Sequence, residues 1–127
     1  MTQPTECPFC AVPSDRIMRE NDLAYAIKDI FPVTKGHVLV IPKRHAEDYF
    51  LLTRDEVVAC DQLLHLVRDD LRREDSSVEG FNIGMNVGRV AGQTLFHCHI
   101  HLIPRRRGDV EHPRGGVRHV IPGKGDY

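Results

Sequence analysis

Three histidines, His97, His99 and His101, fall at every second position, with Cys98, Ile100, Leu102 and Ile103 between and after them. A period of two is that of a β-strand. The spacing predicts a strand over 94–103, with the three imidazoles on one face and Cys98, Ile100 and Leu102 turned into a core. Alternate strand residues lie roughly 6.5 Å apart, so three imidazoles at this spacing can line one small anionic or metal site. Imidazole is substantially unprotonated near neutral pH, which makes it a usable nucleophile. The middle residue, His99, has a histidine on each side and is the best supported of the three. The competing reading is a polar solvent face that happens to be His-rich.

A second group of chemically able residues opens the chain. Cys7-Pro8-Phe9-Cys10 is a C-x-x-C knuckle, which serves either redox chemistry or half of a zinc site. A thioredoxin-like motif follows a strand and opens a helix, whereas this knuckle starts the domain and is followed by Pro13. Gln93 and Thr94 can donate hydrogen bonds to phosphate oxygens, and the Gly88–Gly92 turn allows close backbone approach.

The elements that must position these groups are readable in order. Residues 1–6 form a loose tail. Residues 17–20 and 23–27 flank Asn21-Asp22 and predict a hairpin. Residues 28–36 are a connector punctuated by Pro32 and Gly36, and 37–41 is a third strand ended by Pro42. Thr53-Arg54-Asp55-Glu56 reads as a capping box. Val57, Cys60, Leu64, Val67 and Leu71 then recur at spacings of three and four, which predicts an amphipathic helix over about 54–74. Cys60 is read as a small core residue and His65 as helix surface. Residues 80–87 make a fourth strand and 94–103 the fifth. From about 105 the chain is a Gly/Pro/Arg-rich tail with one short strand at 117–121. The fold class is α+β: a five-stranded antiparallel sheet with one main helix.

Bulk properties bound the rest. The chain has 127 residues and a formal net charge of −1. One domain spanning 1–127 follows. No strong attraction to nucleic acid or membrane is expected from that charge. No apolar run approaches the roughly 18 residues of a membrane span, and no signal pattern opens the chain, so a cytoplasmic location is expected. The four cysteines, Cys7, Cys10, Cys60 and Cys98, then do not suggest a disulfide framework, and the close pair Cys7 and Cys10 suits thiol or metal chemistry. No P-loop or Gly-x-Gly-x-x-Gly fingerprint occurs, and no carboxylate cluster suggests magnesium-dependent phosphoryl transfer. Arg105-Arg106-Arg107 either draws in a polyphosphate or is a solvated edge.

His97-Cys98-His99-Ile100-His101-Leu102-Ile103 resembles the signature of the histidine triad family of nucleotide hydrolases and transferases. Gly92-Gln93-Thr94, Ile83-Gly84-Met85-Asn86, Gly36 to Pro42, and Pro104-Arg105 with Gly108-Asp109 fit the same family. The branch most resembled contains the fragile histidine triad protein and bacterial dinucleoside polyphosphate hydrolases. The resemblance implies one histidine triad domain. It implies that His99 attacks an α-phosphorus, passing through a phosphoramidate, with His101 and Gln93 assisting at the phosphate and leaving group. It further implies nucleotide contacts from Asp29 (ribose), Ile30 (base, with Phe31), Asn86, Gln93 and Thr94. Asp29 as a turn cap and Asn86 as a strand-end cap are the local alternatives. His37 backs up the triad from the neighbouring strand. Zinc-bearing relatives imply a structural zinc on Cys7, Cys10, His45 and His97. The expected reaction is hydrolysis of dinucleoside polyphosphates or related conjugates. Nucleoside phosphoramidase activity and a non-enzymatic nucleotide-binding regulatory role are the alternatives.

A homodimer is expected as well. Val58, Leu63 and Leu66 lie off the helix's main apolar line, and the strand at 80–87 carries little charge for an edge. The alternative is that the tail folds back over this surface. In a dimer, the tail could bring Arg114 or Arg118 toward the partner's site.

Overall fold

The structure is a computed structural model that describes residues 6–127; the expected loose tail at 1–6 therefore lies almost wholly outside the described residues. Five strands run in chain order, β1 Ile17–Glu20, β2 Ala24–Lys28, β3 Val38–Pro42, β4 Val78–Gly84 and β5 Ile100–Arg106, with one long helix, α1 Arg54–Glu74, between β3 and β4. They form one sheet in the order β1-β2-β3-β5-β4, and every neighbouring pair is antiparallel. The β1–β2 hairpin turns at Asn21, whose side chain accepts from the Leu23 and Ala24 amides.

The sheet has two different faces. On one, Ala24, Ala26, Val38, Val40, Ile100 and Leu102 meet Ala59, Cys60, Leu63, Val67 and Leu71 of α1. The small alanines let the helix approach closely. On the other face, Tyr25, Ile27, Leu39 and Ile41 are covered by Phe9, Val12 and Ile17. His101 pairs with Leu39 across β3–β5, so it shares this second face.

The helix begins with the expected capping box. Thr53 Oγ1 accepts from the Glu56 amide at 3.1 Å, and Glu56 Oε1 accepts from the Thr53 amide at 2.8 Å. Arg44 adds a bidentate clamp on the same carboxylate at 2.8 and 2.9 Å. That clamp, ahead of the caps, holds the Glu56 carboxyl below its ordinary range.

Four expectations are corrected. First, Leu63 belongs to the buried helix line, while Val57 and Leu64 are only half-buried. Second, β4 begins at Val78 and ends at Gly84, so Asn86 lies beyond the strand. Third, β5 begins at Ile100, so His97 and His99 precede it. Continuing the register would set Cys98 opposite Pro42, which has no N–H to give the ladder. Instead the Cys98 amide donates to Ala46 O at 2.7 Å. Fourth, the tail forms a 3₁₀ turn over Gly116–Val120 rather than a strand. Gly115, with φ of 90°, enters that turn in a conformation that favours glycine.

Candidate functional site

The irregular segment before β5 splits the three histidines between two tasks. His97 is fully buried. Its Nε2–H donates to Pro42 O at 2.8 Å, which leaves a lone pair on Nδ1. That Nδ1 lies 3.4 Å from Cys7 Sγ, 3.5 Å from Cys10 Sγ and 3.2 Å from His45 Nδ1, and Cys10 Sγ lies 3.3 Å from His45 Nδ1. All four atoms lie within 4.8 Å of one another.

These distances test whether a zinc ion fits. Bonds of about 2.0–2.1 Å to nitrogen and about 2.3 Å to sulfur put tetrahedral edges at roughly 3.3 Å for N–N and roughly 3.6 Å for S–N. The observed edges match within a few tenths of an ångström. The Pro42 carbonyl supplies the outer hydrogen bond that orients a ligating imidazole. Burial, with the neighbouring Cys7 thiol, pushes the Cys10 thiol up to about 11. A bound dication reverses that, because it takes the thiolate.

His99 is held differently. Its Nδ1 lies 2.8 Å from the His97 carbonyl, which can only accept, so the proton is on Nδ1 and Nε2 carries a free lone pair. Phe9 packs edge-on against this ring at 5.2 Å and against His97 at 5.9 Å.

His101 has the opposite tautomer, set by a chain of donors. The Val33 amide donates to His37 Nδ1 at 3.2 Å, so neutral His37 carries its proton on Nε2. That N–H lies 2.9 Å from His101 Nδ1, which must accept it. His101 is therefore left with an N–H at Nε2. Asp29 Oδ2 flanks the pair, 3.4 Å from His37 Nε2 and 4.0 Å from His101 Nδ1. Burial pushes both histidines below the ordinary histidine value, opposed by the Asp29 charge; at His101 the neighbouring His99 and His37 add to the lowering.

Asp29, His37 and His101 come near enough to hold an ion. The Val33 amide disfavours it. A metal on His37 Nε2 would move the imidazole proton to Nδ1, where it would face another N–H.

The remaining predicted residues are placed less uniformly. Asp29 Oδ1 also accepts from the Phe31 amide, so the carboxylate caps a turn while its other oxygen faces the histidines. Ile30 and Phe31 are exposed beside it. Thr94 and Asn86 are exposed, with Asn86 beside Gly92. Gln93 is corrected: it is 2% exposed, and its amide is fully used inside the loop. Oε1 accepts from Gly88 N at 2.9 Å, and Nε2 donates to Glu47 O and Leu95 O at 2.7 and 3.2 Å. It fixes the Gly88–Gly92 turn and has no donor left for a phosphate. Arg105 and Arg106 are likewise engaged, with Asp109 and Asn82 and with Asp75. The sequence reading missed Phe9, whose only signal was its place between two cysteines.

Residues 11–108 match the HIT domain model. The chain belongs to the HIT domain family. A HIT-like protein of Borreliella burgdorferi is 40% identical over 113 residues, covering 82% of this chain and 78% of that protein. The protein named hit of Bacillus subtilis is 41% identical over 106 residues, covering 78% of this chain and 70% of the relative. Among solved structures, a zinc-bound histidine triad family protein of Mycobacterium smegmatis superimposes with a TM-score of 0.73 at 38% identity, covering 82% of this chain and 78% of that one. The HIT fold thus accounts for the five-stranded sheet and single main helix. Among the described residues, no helix is long and apolar enough to cross a membrane.

Proposed function

We propose that this HIT protein is a nucleotide hydrolase that cleaves dinucleoside polyphosphates or related nucleotide conjugates at the α-phosphate. The carrying observation is the tautomer split: His99 presents a lone pair where His101 presents an N–H. In the first step, His99 Nε2 attacks the α-phosphorus and the bond to the leaving oxygen breaks. The departing phosphate keeps the electron pair as an anion, and His101 Nε2–H donates a hydrogen bond to it. The nucleotidylated imidazole keeps Nδ1–H on the His97 carbonyl, which stabilises its positive charge. Water then attacks phosphorus, the P–N bond breaks, His99 returns neutral, and one proton leaves to solvent. Splitting one displacement in two is the ordinary gain of covalent catalysis.

Asp29 is read as the ribose contact, with Ile30 and Phe31 against the base and with Asn86 and Thr94 toward the phosphates. The neutral relay favours a leaving group that departs as an anion. An amine must be protonated to leave, which is why phosphoramidase activity is the second reading and regulatory nucleotide binding the third. The test is a substrate panel resolved by product. A dinucleoside polyphosphate is expected to yield a mononucleotide and the remaining nucleotide. Turnover of phosphoramidates alone would reverse the order.

Zinc on Cys7, Cys10, His45 and His97 is read as structural, because four protein ligands close its shell and leave no open position. A homodimer is expected from β4, which is an edge strand, and from Val58, Leu66 and Ile83, which are 48%, 43% and 50% exposed. The tail does not offer an obvious cover for them: Gly116 approaches Asn82, which pairs with Ile103 on the histidine face. Light scattering at micromolar concentration is expected to give twice the chain mass. A monomer mass that persists as concentration rises would refute the dimer.

A further inference from the structure

His97 and His99 lie before the first residue of β5, so no sheet ladder holds the segment that carries the nucleophile. Its tethers lead elsewhere. The Cys98 amide donates to Ala46, next to His45. His97 Nε2 donates to Pro42, and His97 Nδ1 sits among the thiols. His99 leans on the carbonyl of His97 itself. Two rings support the His99 imidazole edge-on: His101, which lies on β5, at 5.4 Å and 66°, and Phe9, which lies in the cysteine knuckle, at 5.2 Å and 63°.

Phe9 is carried on the one-turn segment Pro8–Cys10, between Cys7 and Cys10. Tyr25 O–H anchors its main chain, and the two cysteine side chains join it to His45 and His97. Closing the Cys/His centre therefore fixes the backbone on both sides of Phe9 and the residue two before His99. An edge-on aromatic contact restricts rotation of the imidazole about its bond to the chain. In-line attack needs that rotation restricted, since a displacement of about 1 Å can cost on the order of a hundredfold in rate.

We propose that Phe9 is a positioning residue that transmits the state of the Cys7–Cys10–His45–His97 centre to His99. A closed centre presses Phe9 on the imidazole; an open centre releases both. The effect on turnover rests on the nucleotidyl-histidine reading above, whereas the effect on ring order does not.

The experiment compares full-length zinc-loaded wild type, Phe9→Ala and Phe9→Tyr. Phe9→Ala is expected to keep one zinc per chain by elemental analysis. Its kcat is expected to fall roughly 10- to 100-fold, with KM changed by less than about twofold. Phe9→Tyr, which keeps the ring, restores kcat. Cys10→Ser lowers kcat in the wild-type background and adds little in the Phe9→Ala background, the non-additivity expected of residues on one route. If Cys10→Ser does not fold, chelation of wild type and of Phe9→Ala supplies the metal-free arm. A substrate-free readout is the ¹⁵N imidazole spectrum. Loaded wild type shows His99 as a single Nδ1–H tautomer, while Phe9→Ala and chelated wild type both show tautomer averaging. Additive losses, a raised KM with unchanged kcat, or His99 signals unmoved by Phe9→Ala would each overturn the proposal. If no nucleotide is turned over at all, the hydrolase reading fails and the ¹⁵N arm alone decides this one.

Discussion

At one end of the site, His45 and His97 turn their Nδ1 atoms toward each other at 3.2 Å, with two thiols alongside. At the other, His37 and His101 approach to 2.9 Å with one proton between them. Each end sets two imidazoles nitrogen to nitrogen at nearly equal distances, beside two thiols at the first and the Asp29 carboxylate at the second. What separates the two ends is the partner of the remote ring nitrogen. Pro42 offers His97 a carbonyl, which draws the proton outward and leaves a lone pair facing in. Val33 offers His37 an amide N–H, which forces the proton inward. A backbone group on the far side of the ring thus decides between a lone pair turned toward two thiols and a proton-sharing pair. His99 stands between the ends and takes its tautomer from the first.

The largest effect is expected at His99 itself. His99→Asn should abolish turnover by at least about three orders of magnitude while zinc content and nucleotide affinity persist, as expected for loss of a covalent nucleophile. Near-normal turnover in a preparation free of contaminating hydrolase would break the division of labour. Next in size is His37→Ala, which leaves His101 free to take either tautomer. Turnover is expected to fall roughly 10- to 100-fold, in the lower range of a lost proton-donor arrangement, with zinc unchanged by elemental analysis. Loss of zinc from this variant would mean the two ends are not separable.

Cys7→Ser sharpens the other end. It should lose the metal and melt at a lower temperature, because closing a structural site contributes to folding directly. Full metal content in this variant would remove Cys7 from the ligand set. The smallest effect is in pH-dependent stability. His37 and His101 are held below their ordinary value by burial, so the unfolded chain binds protons that the folded chain resists. Their contribution is present above the ordinary histidine value of 6.5 and is lost as pH falls below it. Denaturant unfolding from pH 8 to pH 5.5 should show stability falling on the acid side, and falling less steeply in His37→Ala. Equal slopes would remove His37 as a contributor.

The sheet, its helix and the capping box were legible because periodicity and caps are local signals. Thr53 and Glu56 announced the helix start three residues apart. The Cys7-x-x-Cys10 knuckle was legible as half of a candidate zinc site, but its meeting with His45 and His97 came only through family resemblance, since Cys7 and His97 are separated by most of the chain. Alternation at His97–His101 misled in one respect. It placed all three rings on one strand face, but the ladder stops at Ile100 because Pro42 cannot donate and Ala46 captures the Cys98 amide. Gln93 was misread for a related reason. Its side-chain type suits a phosphate, yet the Gly88–Gly92 turn needs the same amide to satisfy backbone groups. The tautomers of His37, His97 and His101 were not legible, since they depend on Val33 and Pro42 acting through main-chain atoms that carry no sequence signature.

The central claim is that His99 attacks phosphorus through Nε2. Rapid quenching of the enzyme with a dinucleoside polyphosphate labelled at the α-phosphate, followed by peptide mapping, tests it most directly. The account predicts one nucleotidyl group per active chain, acid-labile and located on His99, and none on His99→Asn. Turnover without any protein-bound label under conditions that trap phosphohistidine, or label on His101 instead, would contradict it.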